Sequence, residues 1–491
     1  MSIKRRDFLK NSLIAGMSTT LSVSEMPVPP DPIPVPAKKK KIIVAGAGIT
    51  GLCCAYELMR SGHEVTVLEA SGRHGGHVYT GRDGLTDGLY TDYGADHITK
   101  PGYERFFEYA KKFNLAVDPY PHAEGSDAAP NRKGYRMIKG KFYADKELKD
   151  PVVLQQFGFS EKEIKFIANN PWYALEHMYL KPYLGKIKDP DQPFGVGMDE
   201  LDKVPVWDLL KKEGASDAAL DYLGGKNTSA LFTIWRYDIM AMRGIPLHHG
   251  DTYHLKGGNQ ELPNAFAREL GDKIKLAHVI VAIARDDKGV KVKYNAFGYE
   301  EEQEMSADYL VNCIPLSVFK KIPVTPALSE GKQYLVDNLS YSSHPFYTFE
   351  ASSRFWLEDG FESINMDFEH PDISMIWEEN YNPKTGRVVL KAYAPGGVSA
   401  QRGLAAFREV YPGKKDTIVQ ALTLDWTKDK YAPTCEMRSY PLGEMHRFWP
   451  EILKPDGRMY FAGTYADNLS RGMESCLRSA QRVAKELNNL G

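Results

Sequence analysis

The residues of this sequence that most directly indicate chemistry are three glycines and an acid: Gly46, Gly48, Gly51 and Glu69. The glycines have the spacing G-x-G-x-x-G. In such a motif the first glycine permits a tight turn, the second lets a pyrophosphate approach the backbone, and the third lets a helix pack closely on a strand. An acid about twenty residues further on accepts hydrogen bonds from ribose hydroxyl groups. Together the four residues predict a site for a dinucleotide.

The segments around these residues supply the elements that such a site requires. Ile42–Ala45 is a short apolar run typical of a buried parallel strand, and Leu52–Arg60 has helical spacing. A second apolar run, Val65–Leu68, ends at the acid. The N-terminus of the intervening helix would present unpaired N–H groups to the phosphates. Strand, glycines, helix, second strand and acid therefore occur in the order of a dinucleotide-binding unit.

The next segment, ASGRHGGHVYT from Ala70 to Thr80, resembles the flavin amine oxidase family, which includes monoamine oxidases, polyamine oxidases and L-amino-acid oxidases. In that family an arginine and a double glycine surround the FAD pyrophosphate, and here these are Arg73 and Gly75-Gly76. An arginine offers phosphate a bidentate donor, and glycines allow close backbone approach. The sequence departs from the family at His77, where an arginine is usual.

Further segments similar to that family are spread over residues 40–491. They are DYGA from Asp92, YHLKGGNQELP from Tyr253, the strand Ile280–Ile283, VNCIPL from Val311, MYFAGT from Met459, and the helix opened by Gly472-Met473-Glu474. The resemblance implies FAD as the cofactor. It assigns to the FAD site Gly46, Gly48, Ile49, Thr50, Gly51, Glu69, Ala70, Arg73, Gly75, Gly76, His77, Tyr93, Gly94, Ala95, Ile280, Pro315, Cys435, Gly463, Thr464, Gly472 and Met473.

The order of these segments implies an interrupted architecture of the α/β class, α+β overall. We expect a Rossmann-like FAD-binding domain built from residues 40–105, 250–330 and 415–491. We expect an interleaved substrate-binding domain, with a mixed sheet and a helical insertion, from residues 106–249 and 331–414.

The segment from Asp425 to Ala432, DWTKDKYA, resembles the L-amino-acid oxidase stretch W..DKYA. Counting on from it, Cys435 falls where monoamine oxidases bond a cysteine covalently to FAD. Two alternatives stay open for Cys435: a thioether to the cofactor, or a small buried hydrophobic residue, as free cysteines usually are.

Three features that the family resemblance implies for the substrate side are absent. Phe346 stands where many relatives have a lysine near the flavin, and Glu436 and Gly472 stand at the two aromatic positions of monoamine oxidases. His97 stands where venom L-amino-acid oxidases have the arginine that binds the substrate carboxylate. The cofactor site is thus close to the family pattern and the substrate site is not.

The candidate catalytic residues are His97, Glu436 and Trp426. His97 is a candidate carboxylate partner or base, assisted by Asp96, and its alternative role is structural hydrogen bonding. Glu436 could hold a cationic group of a diamine or a basic amino acid, or be a paired or exposed side chain. Arg438 is a second candidate carboxylate anchor, and Trp426 is either a pocket wall or a core residue. Trp377 and Tyr431 are further aromatic candidates for the pocket wall.

The resemblance implies an FAD-dependent amine oxidoreductase that oxidises the C–N bond of an amine or L-amino acid to an imine. Hydrolysis of the imine would give an aldehyde or keto acid plus ammonia, and electrons would pass to oxygen or to a periplasmic acceptor. Two alternatives remain: a desaturase-type enzyme acting on a C–C bond, and a flavin-binding protein without catalysis. An NAD enzyme fits less well because it has no use for the C-terminal FAG–helix segment.

Composition bounds the remaining classes of function. The 491 residues carry a net charge of -2, which disfavours nucleic-acid binding, and no apolar stretch is long enough to predict a membrane span. Five cysteines without CxxC spacing indicate neither a disulfide framework nor a metal site. The sequence does not determine the oligomeric state, and a homodimer is one of the possibilities.

The N-terminal residues predict an export signal. KRRDFLK from Lys4 to Lys10 has the pattern of a twin-arginine signal, and a weakly apolar stretch follows it. We expect a signal peptide at residues 1–26 and a proline- and lysine-rich linker at 27–39. The expected location is the periplasm or the medium, reached by export of the folded protein.

Overall fold

A computed structural model describes residues 38–119, 134–246, 251–342, 345–393, 399–434, 436–437, 439–469 and 472–490, which all fall within one compact unit, Val35–Gly491. The predicted signal peptide and nearly all of the predicted linker lie outside these residues. The strands, numbered in chain order, are β1 (Lys41–Ala45), β2 (Glu64–Leu68), β3 (Thr80–Gly81), β4 (Thr91–Asp92), β5 (Ile98–Lys100), β6 (Val117–Pro119), β7 (Tyr135–Ile138), β8 (Lys141–Ala144), β9 (Asp251–Leu255), β10 (Ile274–Lys275), β11 (His278–Arg285), β12 (Val290–Ala296), β13 (Gln303–Ala307), β14 (Tyr309–Asn312), β15 (Val324–Thr325), β16 (Tyr341–Ser342), β17 (Phe346–Ala351), β18 (Met366–His370), β19 (Ile373–Tyr381), β20 (Val388–Tyr393), β21 (Ile418–Leu424), β22 (Glu436–Met437) and β23 (Met459–Phe461).

The helices are numbered in the same way. They are α1 (Ile49–Arg60), α2 (Glu104–Lys112), α3 (Pro151–Phe157), α4 (Glu161–Ile167), α5 (Ala174–Leu180), α6 (Val206–Lys212), α7 (Asp217–Leu223), α8 (Ala230–Met242), α9 (Glu261–Leu270), α10 (Leu316–Phe319), α11 (Glu330–Asn338), α12 (Phe355–Glu358), α13 (Ala400–Val410), α14 (Met445–Phe448) and α15 (Gly472–Asn489). None of the described helices is long and apolar enough to cross a membrane.

A parallel sheet in the order β10-β2-β1-β14-β23 carries the predicted dinucleotide unit. Its strands are nearly all apolar because both faces are covered. On one face Ile42 and Val44 pack with residues of α1, α9 and α15, and on the other Ile43 and Ala45 pack with the helical part of the chain. The strands come from three separated stretches of chain, the first holding β1 and β2, the second β10 and β14, and the third β23.

A second, mixed sheet has the order β21-β17-β20-β19-β18-β7-β8. The period of two along β17 places Tyr347 and Phe349 in a core with Phe407 of α13, and turns Phe346 to the opposite face. The domain boundary predicted near residue 415 lies just before β21, the last strand of this sheet in chain order. Residues 418–424 pair with β17 along its whole length and so belong to the second sheet.

Helices α3–α8 form the helical insertion expected within residues 106–249. Trp235 of α8 is buried and packs edge-on against Trp449, with ring centroids 4.9 Å apart. Leu209 and Leu210 of α6 belong to the same core as Ile43 of β1. The insertion is therefore packed against the parallel sheet and is continuous with its core.

Candidate active site

The glycine-rich loop between β1 and α1 is built as the sequence predicts. Gly48 is the N-cap of α1 and supplies no capping side chain, and Ile49 and Thr50 line a large cavity at the start of the helix. A Cβ on Gly51 would lie 1.9 Å from the carbonyl oxygen of Gly46, which explains why only glycine fits there. An uncapped helix start beside a cavity is a site for an anion.

Glu69 lies directly after β2 and fixes the loops around it. Its Oε2 accepts a hydrogen bond from the backbone N–H of Ala47 at 2.7 Å, and its Oε1 accepts from the N–H and hydroxyl of Ser71 at 2.8 and 2.7 Å. Its side chain also lines the cavity. The carboxylate is therefore held rigidly where the sequence predicts contact with ribose.

The double glycine passes beside the first glycine loop. Gly48 and Gly75 form a parallel bridge, and a Cβ on Gly76 would lie 3.1 Å from the Cα of Gly48. Nη1 of Arg73 donates to the carbonyl oxygen of Gly76 at 2.8 Å, and its guanidinium lies over the ring of Tyr79. These contacts hold a cation and two backbone segments at one wall of the cavity.

His77 stands where the flavin amine oxidase family usually has an arginine, and its contacts are with neighbouring loops. Its Nε2 donates to the carbonyl oxygen of Ala432 at 2.7 Å, and its ring stacks on Trp426 with centroids 4.1 Å apart. Burial lowers the pKa of His77 to about 4, so the ring is neutral near neutral pH. The residue thus joins the double-glycine segment to the loop after β21 without adding a charge.

The cavity between the two sheets has a volume of about 850 Å³. It begins at the glycine loop, passes the ends of β14 and β23 and the start of α15, and ends at the second sheet. At that end its walls include Met375, Trp377 and Tyr393, with the Trp377 and Tyr393 ring centroids 5.2 Å apart. The volume is in the upper part of the range for ligand cavities and so has room for a large cofactor together with a small molecule.

His97 lies at the same end, 5.8 Å from Trp377 between ring centroids. Its Nδ1 lies 2.8 Å from Oδ1 of Asp96, and Oδ2 of Asp96 lies 2.9 Å from Nζ of Lys391. Although burial opposes ionisation, the charges of His97 and Lys391 lower the pKa of Asp96 well below its usual range. An ionised carboxylate can only accept, so Nδ1 of His97 carries a proton and the ring orientation is fixed.

Comparison with known proteins agrees with this geometry. The family model for flavin-containing amine oxidoreductases matches residues 49–488. The chain belongs to this family. It is an FAD-dependent oxidoreductase of amines.

Individual relatives match along almost the whole chain. An L-amino-acid oxidase of Vipera ammodytes ammodytes is 26% identical over 467 residues, covering 91% of this chain and 92% of the relative. A putrescine oxidase structure with bound putrescine superposes with a TM-score of 0.74 at 18% identity, covering 92% of this chain and 99% of that one. Cyclohexylamine oxidase from Brevibacterium oxydans IH-35A has a TM-score of 0.72 at 21% identity, with the same coverage. The two structures establish the shared fold.

The described residues fit the family's cofactor. Side chains are absent at Gly48, Gly75 and Gly76, where a Cβ would approach the neighbouring backbone, and the uncapped start of α1 and Arg73 provide donors for a pyrophosphate. Among the described residues there is no group of three or more His, Cys, Asp or Glu that could hold a metal ion.

Most of the residues predicted from the sequence line the cavity of this family member. They are Gly46, Gly48, Ile49, Thr50, Glu69, Ala70, Arg73, Gly75, Gly76, His77, Gly94, Ala95, His97, Ile280, Pro315, Gly463, Thr464, Gly472 and Met473. Cys435 and Arg438 lie outside the described residues, and Glu436 is described only by its backbone, which pairs with Ser342.

Three predicted residues lie behind the cavity wall. Gly51 is enclosed between α1 and β1, and Tyr93 is buried with its carbonyl oxygen accepting from Nε1 of Trp426 at 2.8 Å. Trp426 is 3% exposed and is packed between His77 and this carbonyl. Of the two roles left open for Trp426, pocket wall or core residue, its burial agrees with the second, since its indole supports the loops on either side.

The sequence reasoning missed Tyr393, Met375 and Lys391. All three belong to β19 or β20 of the second sheet. Along these strands, residues on the cavity side alternate with residues of the core on the other side. The available signal was Lys391 itself, a single charged residue inside the apolar run VVLKAY. A lysine in such a strand requires a buried partner.

Proposed function

We propose that this amine oxidoreductase acts on an L-amino acid and that His97 binds the substrate carboxylate. The observation that carries this proposal is the position of His97 at the aromatic end of the cavity, with its ring fixed by the ionised Asp96. The family resemblance has an arginine at this place, and a protonated histidine can take over its role as a donor to a carboxylate. The similarity to an L-amino-acid oxidase over most of the chain supports the same substrate class.

The parts of the chain that would hold FAD are the glycine loop and Glu69 at one end and the start of α15 at the other. FAD, when bound, supplies the two-electron acceptor for oxidation of the C–N bond. The positive end of the α15 dipole at Gly472 and Met473 favours negative charge in this part of the cavity.

Trp377, Tyr393 and Met375 would enclose the amino acid side chain and exclude water. Their apolar surfaces also favour the unprotonated amine, because desolvation destabilises a charged ammonium group. The oxidised product is an imine, which hydrolyses to a keto acid and ammonia. Electrons then leave the enzyme for oxygen, giving hydrogen peroxide, or for a periplasmic acceptor.

A diamine is the second candidate substrate. Asp367 lines the same end of the cavity and could hold a second ammonium group, as the sequence also suggests for Glu436. Asp367 lies 3.3 Å from Nε of Arg136, however, and this ion pair satisfies part of its charge. The amino acid is therefore preferred.

The test uses anaerobic flavin reduction by L-leucine and by isoamylamine, which differs from leucine only in lacking the carboxylate. We expect leucine to be the better substrate. His97→Gln should raise the apparent Kd for leucine by about tenfold or more, because a charge-assisted hydrogen bond contributes about 1.5–3 kcal/mol. The same variant should leave isoamylamine nearly unaffected.

His74→Gln is the matched control, since Nε2 of His74 lies 2.9 Å from Asn264 and the residue is not among those lining the cavity. Equal losses for both substrates in His97→Gln would contradict carboxylate binding. Reduction by putrescine in preference to both would favour the diamine. Flavin reduction by carbocyclic compounds alone would indicate a C–C-oxidising enzyme. If no compound reduces the flavin, the protein binds FAD without catalysing a reaction.

We further propose, from the family resemblance alone, that Cys435 bonds covalently to FAD. Mass measurement after denaturation tests this directly. Protein heavier by the mass of FAD, with Cys435→Ala protein at the mass of the chain alone, is the expected result. Full release of FAD from the unaltered protein would show that the cofactor is bound non-covalently.

A further inference from the structure

A lysine is buried in the wall of the second sheet that faces the cavity. Lys391 of β20 pairs with Thr348 of β17 on one side and with Trp377 of β19 on the other. Its side chain is fully buried, with Nζ 4.3 Å from the ring centroid of Phe346 and 6.0 Å from that of Trp377. The aromatic rings exclude water from this ammonium group.

Carboxylates from two other elements surround it. Nζ of Lys391 lies 2.9 Å from Oδ2 of Asp96 and 3.7 Å from Oε1 of Glu379, and it also donates to the carbonyl oxygen of Asp92. Glu379 occupies a bulge in the pairing of β19 with β20, where the register shifts between Glu378 and Asn380. Bulges of this kind turn a side chain out of the regular alternation.

The following hydrogen-bond partners of Glu379 and Asp92 are not among the residues that line the cavity. Glu379 accepts from the hydroxyl of Thr91 and from the backbone N–H of Asp92 at 2.8 Å. The Asp92 carboxyl accepts from the hydroxyl of Thr80 at 2.5 Å and from the N–H of Asn259 at 3.0 Å. Within this cluster Asp96 is the acid that contacts a cavity-lining histidine, since its second oxygen lies 2.8 Å from Nδ1 of His97.

Buried charges are retained only where partners compensate for lost hydration. Burial opposes the charge on Lys391, but Asp96 and Glu379 raise its pKa above the usual value. Burial likewise raises the pKa of Glu379 and raises that of Asp92 to about 7. The ammonium group of Lys391 therefore acts together with His97 in compensating the buried charge of Asp96.

We propose that Lys391 is a positioning residue for substrate recognition: it holds Asp96 in place and ionised, and Asp96 in turn orients His97 toward the substrate carboxylate. This proposal rests on the proposed function, because it explains how His97 is kept in its binding orientation. Lys391 of β20 thus fixes the position of Asp96, the hydrogen-bond acceptor of His97, although the two segments are distant in the sequence.

The test is a double-mutant cycle on ligand binding, made with the FAD-loaded protein. The probes are isocaproate, an unreactive carboxylate, and isocaproamide, its uncharged counterpart, with Kd read from perturbation of the flavin spectrum. We expect Lys391→Met to weaken isocaproate binding by about tenfold, as for coupled residues in one charge network, and to leave isocaproamide nearly unchanged. In the His97→Gln background, Lys391→Met should have little further effect.

Lys332→Met is the matched control, because Lys332 is also buried and donates to the carbonyl oxygens of Glu451 and Lys454, and none of these residues lines the cavity. It should lower stability without changing the isocaproate-to-isocaproamide ratio. Equal weakening of both probes by Lys391→Met, or additive effects in the cycle, would show that Lys391 is only structural.

Removing one ammonium group from this cluster could prevent folding, so a second variant decides the same question. Lys391→Met/Glu379→Gln removes one charge of each sign and should give the same selective loss of isocaproate binding; an unchanged ratio would overturn the proposal. The proposed function fails in a different way, namely if His97→Gln alone leaves isocaproate binding unchanged.

The pH dependence provides a separate readout. The titratable groups around Asp96 are Lys391 of β20, Glu379 of β19, Asp92 of β4 and His97 of the loop after β4. Without the lysine, Asp96 should become protonated at higher pH, so the acidic limit of isocaproate binding should move upward in Lys391→Met. An unshifted acidic limit would contradict the proposal.

Discussion

At the scale of single residues, Trp426 shows how an aromatic side chain near a cavity can act through its neighbours. Its indole N–H donates to the carbonyl oxygen of Tyr93 and its ring supports His77. Trp426→Phe keeps an aromatic ring but leaves that carbonyl without its donor. We expect the free energy of unfolding to fall by about 1 kcal/mol, the net value of a buried hydrogen bond.

The rate of anaerobic flavin reduction in Trp426→Phe should stay within about twofold of the original, which corresponds to less than about 0.5 kcal/mol in the barrier. Chemical denaturation and stopped-flow reduction measure the two quantities on the same preparation. A rate lower by orders of magnitude with unchanged stability would restore Trp426 as a residue that contacts substrate.

Asp92 gives a prediction about pH. Burial and the nearby Glu379 raise its pKa to about 7 from 3.8, so the folded state binds a proton that the unfolded state has released. The stability that this group contributes is complete below the unfolded pKa and is lost as pH rises through about 7. Asp92→Asn keeps an acceptor oxygen for Thr80 and Asn259 and cannot ionise.

The thermal stability of Asp92→Asn relative to the original protein should therefore increase as pH is raised from about 5 to about 8. Melting temperatures at matched ionic strength measure this difference, in which the other titrating groups largely cancel. A difference that is constant with pH, or that shrinks as pH rises, would contradict the assignment to Asp92.

At the scale of elements, the sequence predicted best what is local. The turn from β1 to α1 is determined by glycines a few residues apart, and the strand, helix and following acid all lie where the spacing placed them. The substrate end is assembled differently. Lys391 of β20 and Asp96 of the loop after β4 are 295 residues apart in the sequence and are brought together by the tertiary fold.

The same distinction applies to Trp426 and to the domain boundary near residue 415. Trp426 lies on a short 3-10 segment, and nothing in its neighbours shows which side of the cavity wall it faces. The boundary at residue 415 followed the cofactor motifs, whereas β21 is held by pairing with a strand some seventy positions earlier. Both depend on contacts between distant segments, which spacing alone does not encode.

The third glycine of the motif allows a test at this scale. A Cβ at position 51 would lie 1.9 Å from the carbonyl oxygen of Gly46 and 3.3 Å from Cγ1 of Val44, so Gly51→Ala must push α1 away from β1. Such overpacking costs about 1–3 kcal/mol and displaces the start of the helix. We expect FAD affinity to fall by at least about tenfold.

Gly72→Ala is the control for this change, since a Cβ there would have no atom within 4 Å. The ratio of flavin to protein absorbance after purification, and titration of the cofactor-free protein with FAD, measure the effect. Full flavin content in Gly51→Ala would mean that the close approach of helix and strand is not required for the cofactor.

At the scale of the whole molecule, the cavity cannot exist before most of the chain has folded. Its walls combine the glycine loop near residue 46, the strand end near residue 313, the sheet face near residue 377 and the start of α15 near residue 472. The core under the glycine loop also contains the adjacent Cys53 and Cys54, both fully buried. Loading of FAD and protection of these thiols therefore both follow folding.

This dependence bears on how the protein would leave the cytoplasm. Residues 1–37 lie outside the described part of the chain, and the twin-arginine assignment rests on KRRDFLK in the sequence. Twin-arginine export carries folded proteins, so the predicted signal would allow FAD to be loaded before export. We expect Arg5→Lys/Arg6→Lys, which keeps the charge, to retain FAD-loaded protein in the cytoplasm, while Lys39→Gln in the linker leaves export unchanged.

Exchanging residues 1–26 for a signal that exports unfolded chains makes the argument sharper. The chain would then fold outside the cytoplasm, away from the FAD supply and with Cys53 and Cys54 exposed to oxidation beforehand. We expect exported protein with little flavin and with fewer titratable thiols, measured by absorbance and thiol labelling of fractionated cells. Flavin-loaded protein from the exchanged signal, or unchanged export of Arg5→Lys/Arg6→Lys, would show that folding before export is not required.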